Sequence, residues 1–277
     1  MPPPWTWPGG PGLMVAVHNF SYGVLTPALA YVMSCLGCFL GLRCTTRARA
    51  GQGASRIRWL LLAALAIGVA GVWGMHFVAM LGFTIPGQSI RYNVPVTILS
   101  MLIAAVVVSA GLVIVGFGGD GLAPLLTGGL IIGFGVASMH YIGMTAMRIP
   151  DVMRYSIGVV VLSVIIAVVA GTAALWATLR LDTVWSTLAA SAIMGVAVNG
   201  MHYTGMAAVH VYATTFGTGM AAMQGGVSAK SFLLPLIFGI SVLTLVLTAV
   251  ISLSPTEAEI RKDAELIARL ASNHSRR

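Results

Sequence analysis

The sequence is short of charge. Only 8% of its 277 residues are Asp, Glu, Lys or Arg, against about 25% in a soluble domain, which excludes a fold whose main solvent is water. Carboxylates number seven, and none falls within the long apolar runs. No paired carboxylates, Ser-His-Asp set or Gly-rich phosphate loop stands out, so the chain is expected not to be an enzyme. Gly118-Gly119-Asp120-Gly121 has the residue types of a short turn and is read as one. Cysteine is limited to Cys35, Cys38 and Cys44, an odd set in or beside the first apolar run that gives no disulfide framework. Cys35 and Cys38 are read as small packing residues. The ten-residue alternating segments of a membrane β-barrel are missing. The Pro/Gly-rich start lacks the basic n-region of a cleaved signal peptide.

What is abundant is apolar, 58% of all residues. Unbroken runs of about twenty residues match the length a helix needs to cross about 30 Å of hydrocarbon. Seven runs are read as spans: Val15–Leu42, Trp59–Phe83, Val94–Phe117, Leu122–Met147, Ser156–Leu179, Val184–Tyr212 and Ser231–Leu253. The predicted fold is all-α, a polytopic membrane protein with seven transmembrane helices and internal helix-pair repeats. Residues 1–14 form an outer segment, 15–253 the membrane domain and 254–277 a tail. In the tail Ser254, Pro255 and Thr256 read as a helix start, with Ile260, Ala264, Ile267 and Leu270 at helical spacing.

The net charge of +8 does not point to nucleic acid, because the basic residues lie in loops rather than in one patch. Arg43, Arg47, Arg49, Arg56 and Arg58 crowd between the first two spans. With Arg180 and the tail they place eleven basic residues on one side, against Arg91, Arg148, Arg154 and Lys230 on the other. The positive-inside rule then sets the N-terminus outside and the C-terminus in the cytoplasm of a cell membrane.

The second, fourth and sixth spans end alike. Gly71-Val72-Trp73-Gly74-Met75-His76-Phe77-Val78-Ala79-Met80 recurs as Gly135-Val136-Ala137-Ser138-Met139-His140-Tyr141-Ile142-Gly143-Met144. It recurs again as Ala197-Val198-Asn199-Gly200-Met201-His202-Tyr203-Thr204-Gly205-Met206, at intervals of 64 and 62 residues. The following spans repeat too, with Leu99, Ser100, Ile103 and Ala104 answered by Leu162, Ser163, Ile166 and Ala167. The unit is a helix pair of about sixty residues, used twice and partly a third time. Its small residues suit close helix packing in lipid.

Ionisable groups inside a membrane are rare and usually functional, and here three histidines share one depth near the outer face. His76 shares a helix face with Met80, His140 with Met144 and His202 with Met206. The preceding Met75, Met139 and Met201 lie about 100° round. Imidazole with thioether and no carboxylate selects copper before zinc or magnesium. Haem, held by His and Met, is the alternative cofactor, and a metal transporter is the alternative function. His18, just before the first span, is placed to join the set. His210 is read as continuing the His202 helix face toward the surface. His274 is assigned nothing.

These motifs resemble the MHYT family of bacterial membrane sensors, whose name stands in full at Met201-His202-Tyr203-Thr204. The resemblance covers residues 15–253. It implies a seven-span sensor domain in which His76, His140, His202 and His18, with Met75, Met139 and Met201, bind copper and through it sense oxygen, carbon monoxide or nitric oxide. The sequence departs from the pattern at Phe77, Val78 and Ile142. Many relatives carry diguanylate cyclase, phosphodiesterase or kinase domains. No such domain is read here, so the expected partners are the lipid bilayer, a diatomic gas and a cytoplasmic signalling protein that meets the Arg-rich loop or the tail.

Overall fold

The computed structural model describes residues 14–213 and 225–254. Most of the N-terminal segment, the tail helix and His274 therefore lie outside the described residues. Seven helices are long and apolar enough to cross a membrane: α1 Leu25–Ala50, α2 Gly53–Met80, α3 Val94–Gly118, α4 Leu122–Thr145, α5 Ile157–Arg180, α6 Val184–Ala207 and α7 Ala229–Leu253.

The first, second and sixth helices differ most from the sequence reading, α2 by beginning at Gly53 rather than Trp59. The first helix begins at Leu25, not Val15, and runs on to Ala50. Arg43, Arg47 and Arg49 are thus helical, and the turn to α2 centres on Gly51 and Gly53, the latter at φ +53. The sixth helix stops at Ala207, because Val209–Tyr212 alternates branched and polar residues and pairs as a strand. His210 accordingly faces Arg154 across a sheet and does not continue the His202 face.

Short strands cap the motif end. Met14–Val15 (β1) pairs with Val209–Tyr212 (β5), which pairs with Val152–Tyr155 (β4). Arg91–Tyr92 (β2) lies between Met147–Arg148 (β3) and Val227–Ser228 (β6). This pairing satisfies backbone groups that lipid could not.

The motif helices α2, α4 and α6 touch one another at the centre, and α1, α3 and α5 sit in the grooves between them. A closed six-helix ring results, and α7 packs outside it against α1 and α2. That extra cover explains why 83% of the α2 apolar window is buried, against 44% for α4 and 33% for α6.

The third helix pair is completed by α1. Ser34 of α1, Ser100 of α3 and Ser163 of α5 are fully buried. Each donates to the carbonyl three residues earlier, Tyr31, Thr97 and Val160 respectively. Each also bonds a side chain of its motif helix: Asn199 Nδ2 donates to Ser34 at 2.9 Å, Trp73 Nε1 donates to Ser100 at 3.0 Å, and Ser163 meets the Tyr141 hydroxyl at 2.7 Å. The partial third repeat read from the sequence is thus a full one, closed by the N-terminal helix.

At the opposite end, arginines cap helix C-termini, where unpaired carbonyls and the dipole favour cations. Arg47 donates to Ile251 O at 2.7 Å and Ser254 O at 2.8 Å at the end of α7, and lies 4.8 Å over Trp59. Arg49 holds Leu179 O in the last turn of α5 and Leu181 O and Asp182 just beyond it. Arg56 holds Gly116 O and stacks over Phe117 at the end of α3.

Candidate metal centre

Each motif helix brings one histidine to the ring axis. In α2 the path is a π-helical stretch, Leu65–Trp73, that ends at Gly74, two residues before His76. Such segments are frequent at functional sites. Glycine permits the close packing there: Gly71 Cα lies against Gly37 of α1 where no side chain would fit.

His76, His140 and His202 are each 1% exposed. Their Nδ1 atoms form a nearly equilateral triangle, 3.1 Å between His76 and His202, 3.2 Å between His140 and His76, and 3.3 Å between His202 and His140. The rings stand almost perpendicular to one another, at 79–86° with centroids 5.0–5.1 Å apart. Each is also met edge-on by the aromatic that follows it, Phe77, Tyr141 or Tyr203, at 4.7–4.9 Å. A second aromatic layer packs beyond: Tyr92 on Phe77, Tyr155 on Tyr141 and Phe20 on Tyr203. Burial, with Tyr141 adding to it, pushes the Tyr155 phenol up to about 12, and burial raises Tyr92 as well. Both phenols stay neutral at ordinary pH.

The triangle cannot satisfy itself. A neutral imidazole carries one N–H. With Nδ1 protonated on two rings, two hydrogens would crowd the same small space. With it protonated on one ring, only one of the three contacts becomes a hydrogen bond. With none, three lone pairs converge. A shared cation resolves that arrangement. The point equidistant from the three nitrogens is about 1.9 Å from each, the edge divided by √3, close to the about 2.0–2.1 Å of a zinc–imidazole bond. The donor set therefore fits a first-row metal ion. Among the described residues this is the one group of His, Cys, Asp or Glu placed to share an ion.

The remaining candidates are distributed differently. Met75, Met139, Met201, Met80, Met144 and Met206 are all 0–2% exposed. Met75 packs against Ala30, Val78 and Ala79, which makes it part of the wall between α1 and α2. His18 is exposed and bridges Thr84 through backbone hydrogen bonds of 2.9 and 2.8 Å. The structure does not bring it to the triad.

Two glycines complete the site. A Cβ on Gly143 would lie 2.7 Å from His76 Nε2, and one on Gly205 would lie 2.5 Å from His140 Nε2. The glycine three positions after His140 and His202 thus receives the ring of the preceding copy. The sequence shows the smallness but not the recipient.

Comparison with known proteins identifies the repeats. The family described as "Bacterial signalling protein N terminal repeat", MHYT, matches residues 70–128 and 133–191. The chain belongs to the MHYT family. It is 36% identical over 193 residues to the bifunctional diguanylate cyclase/cyclic di-GMP phosphodiesterase MucR of Pseudomonas aeruginosa, covering 68% of this chain and 28% of the relative. It is 36% identical over 200 residues to the cyclic di-GMP phosphodiesterase NbdA of the same organism, covering 70% and 25%. It is 27% identical over 227 residues to the signalling protein YkoW of Bacillus subtilis, covering 77% and 27%. The matched region spans about a quarter of these relatives. No solved structure matches the chain. As an MHYT protein with seven apolar helices, it is a multi-pass membrane protein of a signalling family.

Proposed function

We propose that this MHYT chain is a sensor that holds copper on Nδ1 of His76, His140 and His202 and responds to oxygen, carbon monoxide, nitric oxide or redox state. The observation that carries the reading is the closed Nδ1 triangle, 3.1–3.3 Å on a side. Copper is favoured over zinc by the thioether-rich surroundings and the lack of carboxylates. Of the methionines, Met80, Met144 and Met206 share the histidine faces. When bound, copper supplies a redox couple and affinity for diatomic ligands.

The protein's own part is mechanical. The edge-on aromatics fix the three rings, the buried serines tie each motif helix to its partner, and glycine contacts let the helices move as packed units. A change in ring positions would reach the arginine-capped end through those helices. There the Arg47 grip on α7 leads into the tail. The basic end faces the cytoplasm by the positive-inside rule. The readout is a cytoplasmic partner or output of the cyclic di-GMP class, for which the relatives' names are the support.

The same closeness argues against haem, whose porphyrin would need the imidazoles apart. Metal analysis of the purified chain beside a His76→Ala/His140→Ala/His202→Ala variant tests the proposal. Copper in the first and none in the second, with spectral changes under carbon monoxide or nitric oxide, supports it. Equal metal content in both refutes it, and a strong visible haem band transfers the site to haem.

A further inference from the structure

The valine of each motif copy has no part in the triad. Val72, Val136 and Val198 precede His76, His140 and His202 by four residues. They therefore share the histidine faces, about 6 Å further into the bilayer. All three line a single cavity of about 40 Å³. Cys38 of α1, Val108 of α3 and Gly171 of α5 complete a wall to which every ring helix contributes. The cavity thus lies on the ring axis, directly inward of the triad.

Its chemistry is uniform. Every lining side chain is apolar apart from the Cys38 thiol. The volume exceeds the about 10–15 Å³ that one water requires, but a water also needs two to four polar partners, which the thiol alone cannot supply. Cavities of this kind stay dry and take up apolar guests. Valine suits the wall because its χ1 is nearly fixed in a helix, so the chamber does not collapse by rotamer change. On the α5 side the space exists because Ala170, Gly171 and Ala174 offer so little bulk.

We infer that this cavity is a binding site for a small apolar gas molecule, of the class of molecular oxygen, nitric oxide or carbon monoxide, held one helical turn inward of the histidines. The purpose of the site rests on the sensor reading, whereas the binding itself needs no metal. Such molecules carry no charge and make no strong hydrogen bonds, so dispersion contact with the walls suffices to hold them. They also reach the site through hydrocarbon in which they dissolve.

The test uses the full chain, metal-free, in nanodiscs, with xenon and dissolved oxygen as probes. Xenon NMR should show one saturable site. Oxygen, being paramagnetic, should relax the methyl signals of Val72, Val136 and Val198 faster than those of Val106 and Val169, which face outward at 64% and 63% exposure. Ala174→Leu fills the chamber from α5 without touching the triad and should abolish both effects while copper uptake is unchanged. Ala170→Val serves as a smaller plug should leucine overpack. The triple histidine variant should retain the xenon site, so failure of the metal reading leaves this result standing. Absence of saturable xenon binding in the wild type, relaxation no faster than at the lipid-facing valines, or an intact site in a folded, plugged variant overturns the inference.

Discussion

Gly143 holds the place that the His76 ring occupies: a methyl group added there would lie 2.7 Å from Nε2. Gly205 stands in the same relation to His140 at 2.5 Å. Gly143→Ala and Gly205→Ala should therefore displace a ring and destabilise the protein by about 1–3 kcal/mol, with metal content falling in parallel. Gly200→Ala is the control, since nothing lies within 4 Å of its Cβ position. Thermal unfolding in detergent together with metal analysis measures both effects. Equal loss in all three variants would contradict the ring-contact account.

Two of the serine ties, at Ser34 and Ser100, differ in strength in a way that can be measured. Ser100→Ala leaves Trp73 Nε1, a single buried donor, without its partner, at about 1–3 kcal/mol. Ser34→Ala should cost less, because Asn199 Nδ2 still donates to Gly195 O at 2.8 Å. The expected order of melting temperatures is wild type, then Ser34→Ala, then Ser100→Ala. The reverse order would mean that the tryptophan finds another acceptor.

Arg47 grips the end of α7 with two guanidinium nitrogens. Lysine keeps the charge but not the fork, so Arg47→Lys should behave like Arg47→Ala. Hydrogen exchange at the amides of 250–254 should quicken in both. Protection restored by lysine would show that charge alone closes this end.

His18→Ala should leave metal content unchanged, because His18 is exposed and joined to Thr84 through its backbone. His76→Ala should remove most of it. Comparable losses in the two variants would place His18 in the coordination set after all.

Much of this was legible in the residues. Apolar run length gave seven spans, and the repeated Met-His-aromatic pattern marked the three histidines that the structure gathers. The rest depended on partners far apart in sequence. Ser34 looks unremarkable until α1 is seen against α6, because the third repeat is split between helices far apart in sequence but adjacent in the ring. Val209–Tyr212 reads as the end of a span because it continues an apolar helical run without a break, and only its pairing with β1 and β4 makes it a strand. The arginines marked orientation in the sequence; their contacts with Gly116, Leu179 and Ile251 depend on where distant helices end. The motif glycines were legible as small, but not as seats for a neighbour's imidazole.

The placement of α7 outside the ring has a consequence for direction. Three near-equivalent helix pairs around one axis have no intrinsic preference: a disturbance at the centre pushes all three alike. Only the side of the ring formed by α1 and α2 carries an additional helix on its back. A symmetric stimulus therefore meets unequal resistance, and the displacement that emerges is lopsided, with α7 as the pointer that gives it a heading.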